Sequence, residues 1–207
     1  MIVSHAHRYI FFAVPKTATH SVREVLRASK DEADWEQQVL FGEQAIPVPE
    51  IAEIKHGHIS ARQIQPALTE EQWGSYYKFG FVRNPFDRFV SICAFLNREN
   101  PNFKDNSLTW MKMATQRPVF RQRILVRPQF EQLINEQGEL AMDFLGRYEN
   151  LQESLDTILG KLNLEPIQLQ VRNRSDHAAY QSYYDDELRE WVANFYKEDL
   201  DCFGYDF

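Results

Sequence analysis

Residues 8–14 (RYIFFAV) form a short run of aromatic and β-branched side chains, the pattern of a buried strand. After a polar turn, Val22, Val25, Leu26 and Ser29 follow a helical spacing, with Thr19 or Ser21 available as N-cap, so the unit reads strand, turn, helix. Residues 76–82 (YYKFGFV) repeat the strand pattern and lead at once into Asn84 and Pro85, which suit N-cap and first helical position. Phe86, Phe89, Val90, Cys93 and Phe95 or Leu96 then supply that helix's buried face. Helices are predicted over 108–115 and 128–135, and a third strand over 142–148. Asn150 with Glu153 opens another helix, which turns Leu151, Leu155, Ile158 and Leu159 inward. The clearest helix carries Leu188, Trp191, Val192, Phe195 and Tyr196 at i, i+3, i+4, i+7, i+8 behind the acids 185–187, which favour the helix dipole. Residues 31–36 read as an acidic, exposed segment and 46–50 (IPVPE) as a proline-marked loop. Strands alternating with helices predict an α/β layer fold with a mostly parallel sheet, whose ligands bind beyond the carboxyl ends of the strands.

Length and composition narrow this picture. A chain of 207 residues, 43% hydrophobic and 14% aromatic, buries one sizeable core, so a single domain over 1–207 is expected. No segment approaches the roughly 18 apolar residues of a membrane span, and residues 9–14 are too few for a signal-peptide core, so a soluble protein is expected. Cys93 and Cys202 have neither disulfide-framework nor metal-ligand spacing, which fits a reducing compartment and no bound metal. A net charge of −7 argues against a general nucleic-acid binder. Residues 76–130 nevertheless hold ten Lys or Arg against three acids, leaving −14 for the rest. That stretch either meets an anion or is a solvated basic face.

The turn after the first strand is equipped for an anion. A helix starting directly after a buried strand aims unpaired N–H groups and its positive dipole end above the sheet edge. Lys16 adds a mobile charge, and Thr17, Thr19 and Ser21 add hydroxyls, which together suit a phosphate or sulfate ester. The nucleoside-triphosphate loop G-x-x-x-x-G-K-[ST] is absent, because no glycine precedes Gly42. An ordinary turn with a solvent lysine is the alternative. Arg83, before the second capped helix, lies on the same sheet edge, with Ser91 farther along, and Arg with Ser can hold a phosphate. Arg88 could join them or pair with Asp87 or another acid. In "KHGHIS" (55–60), His56 and His58 could bind metal, hydrogen-bond structurally or act chemically, and Gly57 would let a ligand approach the backbone. Trp191, Phe195 and Tyr196 read as core, whereas Trp73, Tyr76 or Tyr77 could stack on a ring. His5, His7 and His177 read as surface or terminal residues.

"VPKTATHS" (14–21) resembles the 5′-phosphosulfate loop, and "RNPFDRFVS" (83–91) the 3′-phosphate motif, of sulfotransferases that use 3′-phosphoadenosine-5′-phosphosulfate (PAPS). "RPQF" (127–130), "GRYENL" (146–151) and "FGYDF" (203–207) resemble the carbohydrate branch. The resemblance implies a three-layer α/β/α, P-loop-like fold and in-line transfer of the sulfuryl group to a hydroxyl, on a saccharide in that branch. It implies a 5′ site made of Lys16, Thr17, Ala18, Thr19, His20, Ser21 and Val22, with Lys16 stabilising the leaving group. Arg83 and Ser91 would hold the 3′-phosphate, with Arg172 or Arg174 contributing. Uronyl 2-O-sulfotransferases carry a similar His-Gly-His segment with histidine as catalytic base, which makes His58 the first candidate. His56 would orient the acceptor or share the proton, and Glu149 is a weaker alternative base. The chain departs from the family at Ala18, where glycine is frequent, and at His20, where a small or hydroxyl residue is usual. It also lacks the N-terminal membrane helix of Golgi relatives, so a free-standing bacterial, cytoplasmic enzyme is expected. A phosphoryl-transfer enzyme and an inert nucleotide-binding module are the alternatives.

Overall fold

The computed structural model describes residues 1–38, 46–169 and 179–207. Chain order begins β1 (Ile2–Ser4), β2 (Tyr9–Phe12), α1 (Thr19–Arg27), β3 (Trp35–Glu36), α2 (Pro49–Ala52), α3 (Ala61–Ile64), α4 (Glu70–Ser75) and β4 (Tyr77–Val82). It continues with α5 (Pro85–Leu96), α6 (Ser107–Thr115), α7 (Pro118–Arg121), α8 (Gln129–Leu133), β5 (Phe144–Arg147), α9 (Leu151–Lys161), α10 (Asp186–Phe195) and α11 (Lys197–Phe203). Two compact units result: one takes in Met1–Val82 and the segment starting at Glu131, the other Arg83–Phe130 and the C-terminal segment.

The first unit holds a five-stranded sheet in the order β3-β1-β2-β4-β5. β2, β4 and β5 are parallel, with Phe11 opposite Phe79 and Phe79 opposite Phe144. These are the three strands expected from the sequence. β1 pairs antiparallel with both β2 and β3, so the expected α/β sheet has a parallel core with an antiparallel edge. α1 and α9 lay Val22, Val25, Leu26, Leu155, Ile158 and Leu159 against Phe11, Phe79 and Phe81, which excludes water from one face. The opposite face brings Leu133 within contact of Gly80.

The segment 31–36 departs from the sequence reading in part: Asp31 and Glu32 are exposed as expected, whereas Asp34 and Glu36 are fully buried. Asp34 accepts from the Ser4 hydroxyl and the His5 N–H, closing the β1–β2 turn. Glu36 accepts from Arg23 at 3.1 Å and Arg27 at 2.9 Å, with Lys30 at 3.5 Å. Buried charges persist where partners of opposite sign surround them. His5 and His7 likewise have structural partners, Tyr76 Oη and the Ser29 carbonyl.

The second unit packs α5, α6, α7, α10 and α11 around Phe89, Tyr196, Val192 and Met111. Asn84 caps α5 by accepting from the Phe86 N–H, and Pro85 occupies the first turn. Leu96 packs against the core while Phe95 is exposed, which settles the alternative at that helix end. Asp185 caps α10 by accepting from the Leu188 N–H. Trp191, Phe195 and Tyr196 belong to this core. The helix expected to reach residue 135 ends at Leu133, where Ile134 forms a bridge with Leu140. Among the described residues, no helix is long and apolar enough to cross a membrane.

Candidate active site

At the carboxyl end of β2 the chain makes a left-handed turn, with φ of 68° at Lys16 and 61° at Ala18. For residues with a Cβ this conformation costs about 1–2 kcal/mol each, a cost that a glycine at position 18 would avoid. The Thr17 hydroxyl donates to the Val14 carbonyl at 2.9 Å and locks the turn. That hydroxyl proton is engaged inside the loop in this structure. The helix starts one residue beyond Ala18, the N-cap, and not after Thr19 or Ser21; no side chain caps it. Val22 N–H is paired with the Ala18 carbonyl at 3.2 Å, which removes it from the expected donor set. The N–H groups of Thr19, His20 and Ser21 occupy the helical positions that have no intrahelical acceptor. His20 is held below its ordinary pKa first by partial desolvation and then by Arg23, Lys16 and Arg27, against Glu24, so cations outnumber acids around this turn.

His58 is tied to the same strand end. Its Nδ1 lies 2.6 Å from the Ala13 carbonyl. A carbonyl only accepts, so Nδ1 carries the hydrogen and Nε2 the lone pair. An unperturbed histidine titrates at about 6.5. Burial pushes the His58 value down to about 3 despite the Ala13 bond, and Arg23 adds to the fall. His56 Nδ1 accepts from the His58 N–H at 3.3 Å, with ring centroids 5.8 Å apart, so that nitrogen of His56 is an acceptor within the segment.

Gly57 has a different reason from the one expected. A Cβ there would stand 2.1 Å from the Gln37 carbonyl oxygen and 2.7 Å from Arg23 Nη2, so the protein's own chain takes the space assigned to a ligand. Arg23 links the two halves of this unit's site. Its guanidinium donates to the Gln37 carbonyl at 3.2 Å and the Gly57 carbonyl at 3.4 Å while pairing with Glu36. Buried Gln132 donates to the carbonyls of Ala13 and Ile59, both at 3.2 Å. Sequence reasoning missed both; the signals were a basic residue on the apolar side of α1 and a glutamine among apolar neighbours.

In the second unit, Arg83, Asp87 and Ser91 form an i, i+4, i+8 stripe. Arg83 is buried and its Nε donates to Asp87 at 2.7 Å. Ser91 is half-buried. Arg88 is fully buried; it donates to the carbonyls of Leu125 and Arg127, lies over the Tyr196 ring and interacts electrostatically with the buried Asp199. Glu149 is exposed in the turn after β5. Trp73, Tyr76 and Tyr77 stand at the amino end of β4, away from the edge where the Lys16 turn lies, which removes them as stacking platforms for that turn. Arg172, Arg174 and His177 lie outside the described residues.

Lys16, Thr17, Ala18, Thr19, His20 and Ser21 thus share one turn, with His58 bonded three residues upstream of Lys16. Among the described residues, no group of three or more His, Cys, Asp or Glu is placed to hold a metal ion. A family model described as the sulfotransferase family matches residues 1–206. No curated protein and no solved structure matches the chain.

Proposed function

The chain belongs to the sulfotransferase family, and we propose that it moves the sulfuryl group of PAPS to a saccharide hydroxyl with His58 as base. The observation that carries this reading is the joining of two chemistries at one strand end. An uncapped helix start with Lys16 sits beside a histidine whose tautomer is fixed by Ala13.

The donor set fits a 5′-phosphosulfate in kind: three helix-start N–H groups, a lysine and more cations than acids nearby, with no carboxylate in the turn. Bound PAPS supplies an activated sulfuryl group whose departure leaves negative charge on a phosphate oxygen. Lys16 and the N–H groups of Thr19, His20 and Ser21 serve to hold that end and stabilise the growing charge. His58 Nε2 takes the proton of the attacking hydroxyl, which makes the alcohol a competent nucleophile. His56 orients the acceptor. Arg83 and Ser91 are assigned the 3′-phosphate, as a charge-assisted and a neutral hydrogen bond.

Thermal shift with 3′,5′-adenosine bisphosphate against ATP plus Mg²⁺, followed by transfer from labelled PAPS to a saccharide panel, tests this reading. Stabilisation by the bisphosphate and labelled product are expected. In Lys16→Ala, loss of one charge stabiliser lowers turnover by about 10²–10³ while nucleotide binding persists. Stabilisation by ATP alone, or parent turnover in Lys16→Ala, overturns it.

A further inference from the structure

Residues 125–128 of the second unit lie between α7 and α8, and buried side chains satisfy the backbone of this segment and of the first residues of α8. Arg88 donates to the carbonyls of Leu125 at 3.0 Å and Arg127 at 2.9 Å, and the Tyr196 hydroxyl donates to the Val126 carbonyl at 2.6 Å. Asp199, fully buried, accepts from the N–H groups of Gln129 at 2.9 Å and Phe130 at 2.7 Å. Each of these polar groups would be costly to bury alone, so the set holds the segment in one place.

What the segment presents is the Gln129 side chain. Its Oε1 accepts from the Arg83 N–H at 3.0 Å and its Nε2 donates to the Arg83 carbonyl at 2.9 Å. Both backbone groups of a single residue are thus paired with one amide, as a neighbouring strand would pair them. The same Nε2 lies 3.2 Å from Asp199 Oδ2, which fixes the amide's orientation. Gln129 is 1% exposed. Arg83 is therefore held at its backbone by Gln129 and at Nε by Asp87.

We infer that Gln129, braced by Asp199, is a positioning residue that sets the aim of the Arg83 guanidinium and so the preference for a 3′-phosphorylated nucleotide. The inference rests on the assignment of Arg83 to the 3′-phosphate. Loss of the amide removes both of these bonds from the Arg83 backbone, and the charge-assisted bond its guanidinium offers loses part of its fixed geometry.

The experiment compares two ligands by calorimetry, 3′,5′-adenosine bisphosphate and adenosine 5′-monophosphate, which lacks the 3′ group. The parent is expected to prefer the bisphosphate by roughly 10–100-fold, the range of a charge-assisted hydrogen bond, and Arg83→Ala to abolish that preference. Gln129→Met, which keeps the volume and removes both bonds, is expected to reduce the preference by about tenfold or more with affinity for the monophosphate little changed. Asp199→Asn, which keeps the shape, is expected to act in the same direction and carries the test if circular dichroism shows Gln129→Met unfolded. A preference retained in both variants, with Arg83→Ala lacking it, overturns the inference and leaves the Arg83 assignment standing. Equal losses for both ligands show a structural role only and also overturn it. A parent that does not discriminate, or an Arg83→Ala that still does, overturns the Arg83 assignment and the inference together.

Discussion

Replacing Gly57 by Ala tests whether the His-Gly-His segment is held as tightly as its contacts imply. The new Cβ would lie 2.1 Å from the Gln37 carbonyl oxygen, whereas ordinary contact begins at about 3.4 Å, so more than 1 Å of displacement is required. Gln37 resists it: its carbonyl accepts from both Arg23 Nη atoms, and its side chain donates to the carbonyls of Ile51 and Ile54. The movement falls on residues 56–58, where it pulls His58 from the Ala13 carbonyl. Overpacking costs about 1–3 kcal/mol and the lost hydrogen bond about 1 kcal/mol, which lowers Tm by roughly 4–16 °C for a chain of this size. A misplacement of about 1 Å at a reacting group costs on the order of 10² in turnover. Calorimetric melting and labelled sulfuryl transfer read the two effects, and bisphosphate affinity at the 5′ loop is expected to change far less. A Gly57→Ala protein with parent Tm and parent turnover refutes the reasoning.

Two further outcomes concern charge in the first unit. Glu36→Gln leaves the 4%-exposed Arg23 side chain without its buried carboxylate and is expected to cost about 3–5 kcal/mol in urea unfolding; a loss under about 1 kcal/mol contradicts the buried cluster. Burial holds His58 at about 3 against 6.5, so between those values the unfolded chain binds the extra proton. Stability is full above pH 6.5 and falls toward pH 3 by up to about 5 kcal/mol. His58→Gln is expected to flatten that acid slope, and an unchanged slope places its cause elsewhere.

The strands that were legible are those with a continuous apolar run. β2 and β4 lie inside the sheet with neighbours on both sides and are buried along nearly their whole length, and such strands advertise themselves as Tyr9–Phe12 and Tyr77–Val82 do, whereas β5 is a half-buried edge strand. β1 and β3 have three and two residues, too few for any periodicity, and Glu36 in β3 carries a charge that reads as solvent-facing until its cations are located. The Lys16 turn was legible because strand, lysine, hydroxyls and helix follow one another in the chain. Its hydrogen-bond assignments were not: Thr17 turning inward and Val22 closing the helical turn depend on backbone angles that residue type does not fix. Gln129, Gln132 and Arg23 act on carbonyls and amides from 14 to 119 positions away, contacts that exist only after the chain has folded.

The low pKa of His58 bears on how such a base could work. With a value of about 3 the ring is neutral throughout the neutral range, so its Nε2 lone pair is always present, but proton uptake by so weak a base has little driving force. Burial is the main cause, and Arg23 works in the same direction; a negative charge held at the Lys16 turn works against both by stabilising the imidazolium. The base is therefore expected to strengthen when the 5′ site is filled. The acid limb of kcat/KM for the nucleotide, which reports the free protein, is then expected at lower pH than the acid limb of kcat, which reports the loaded one. In His58→Gln both limbs are expected to vanish along with most of the turnover. Coincident limbs in the parent would mean that charge at the Lys16 turn does not reach His58, and the base would have to be sought on another element.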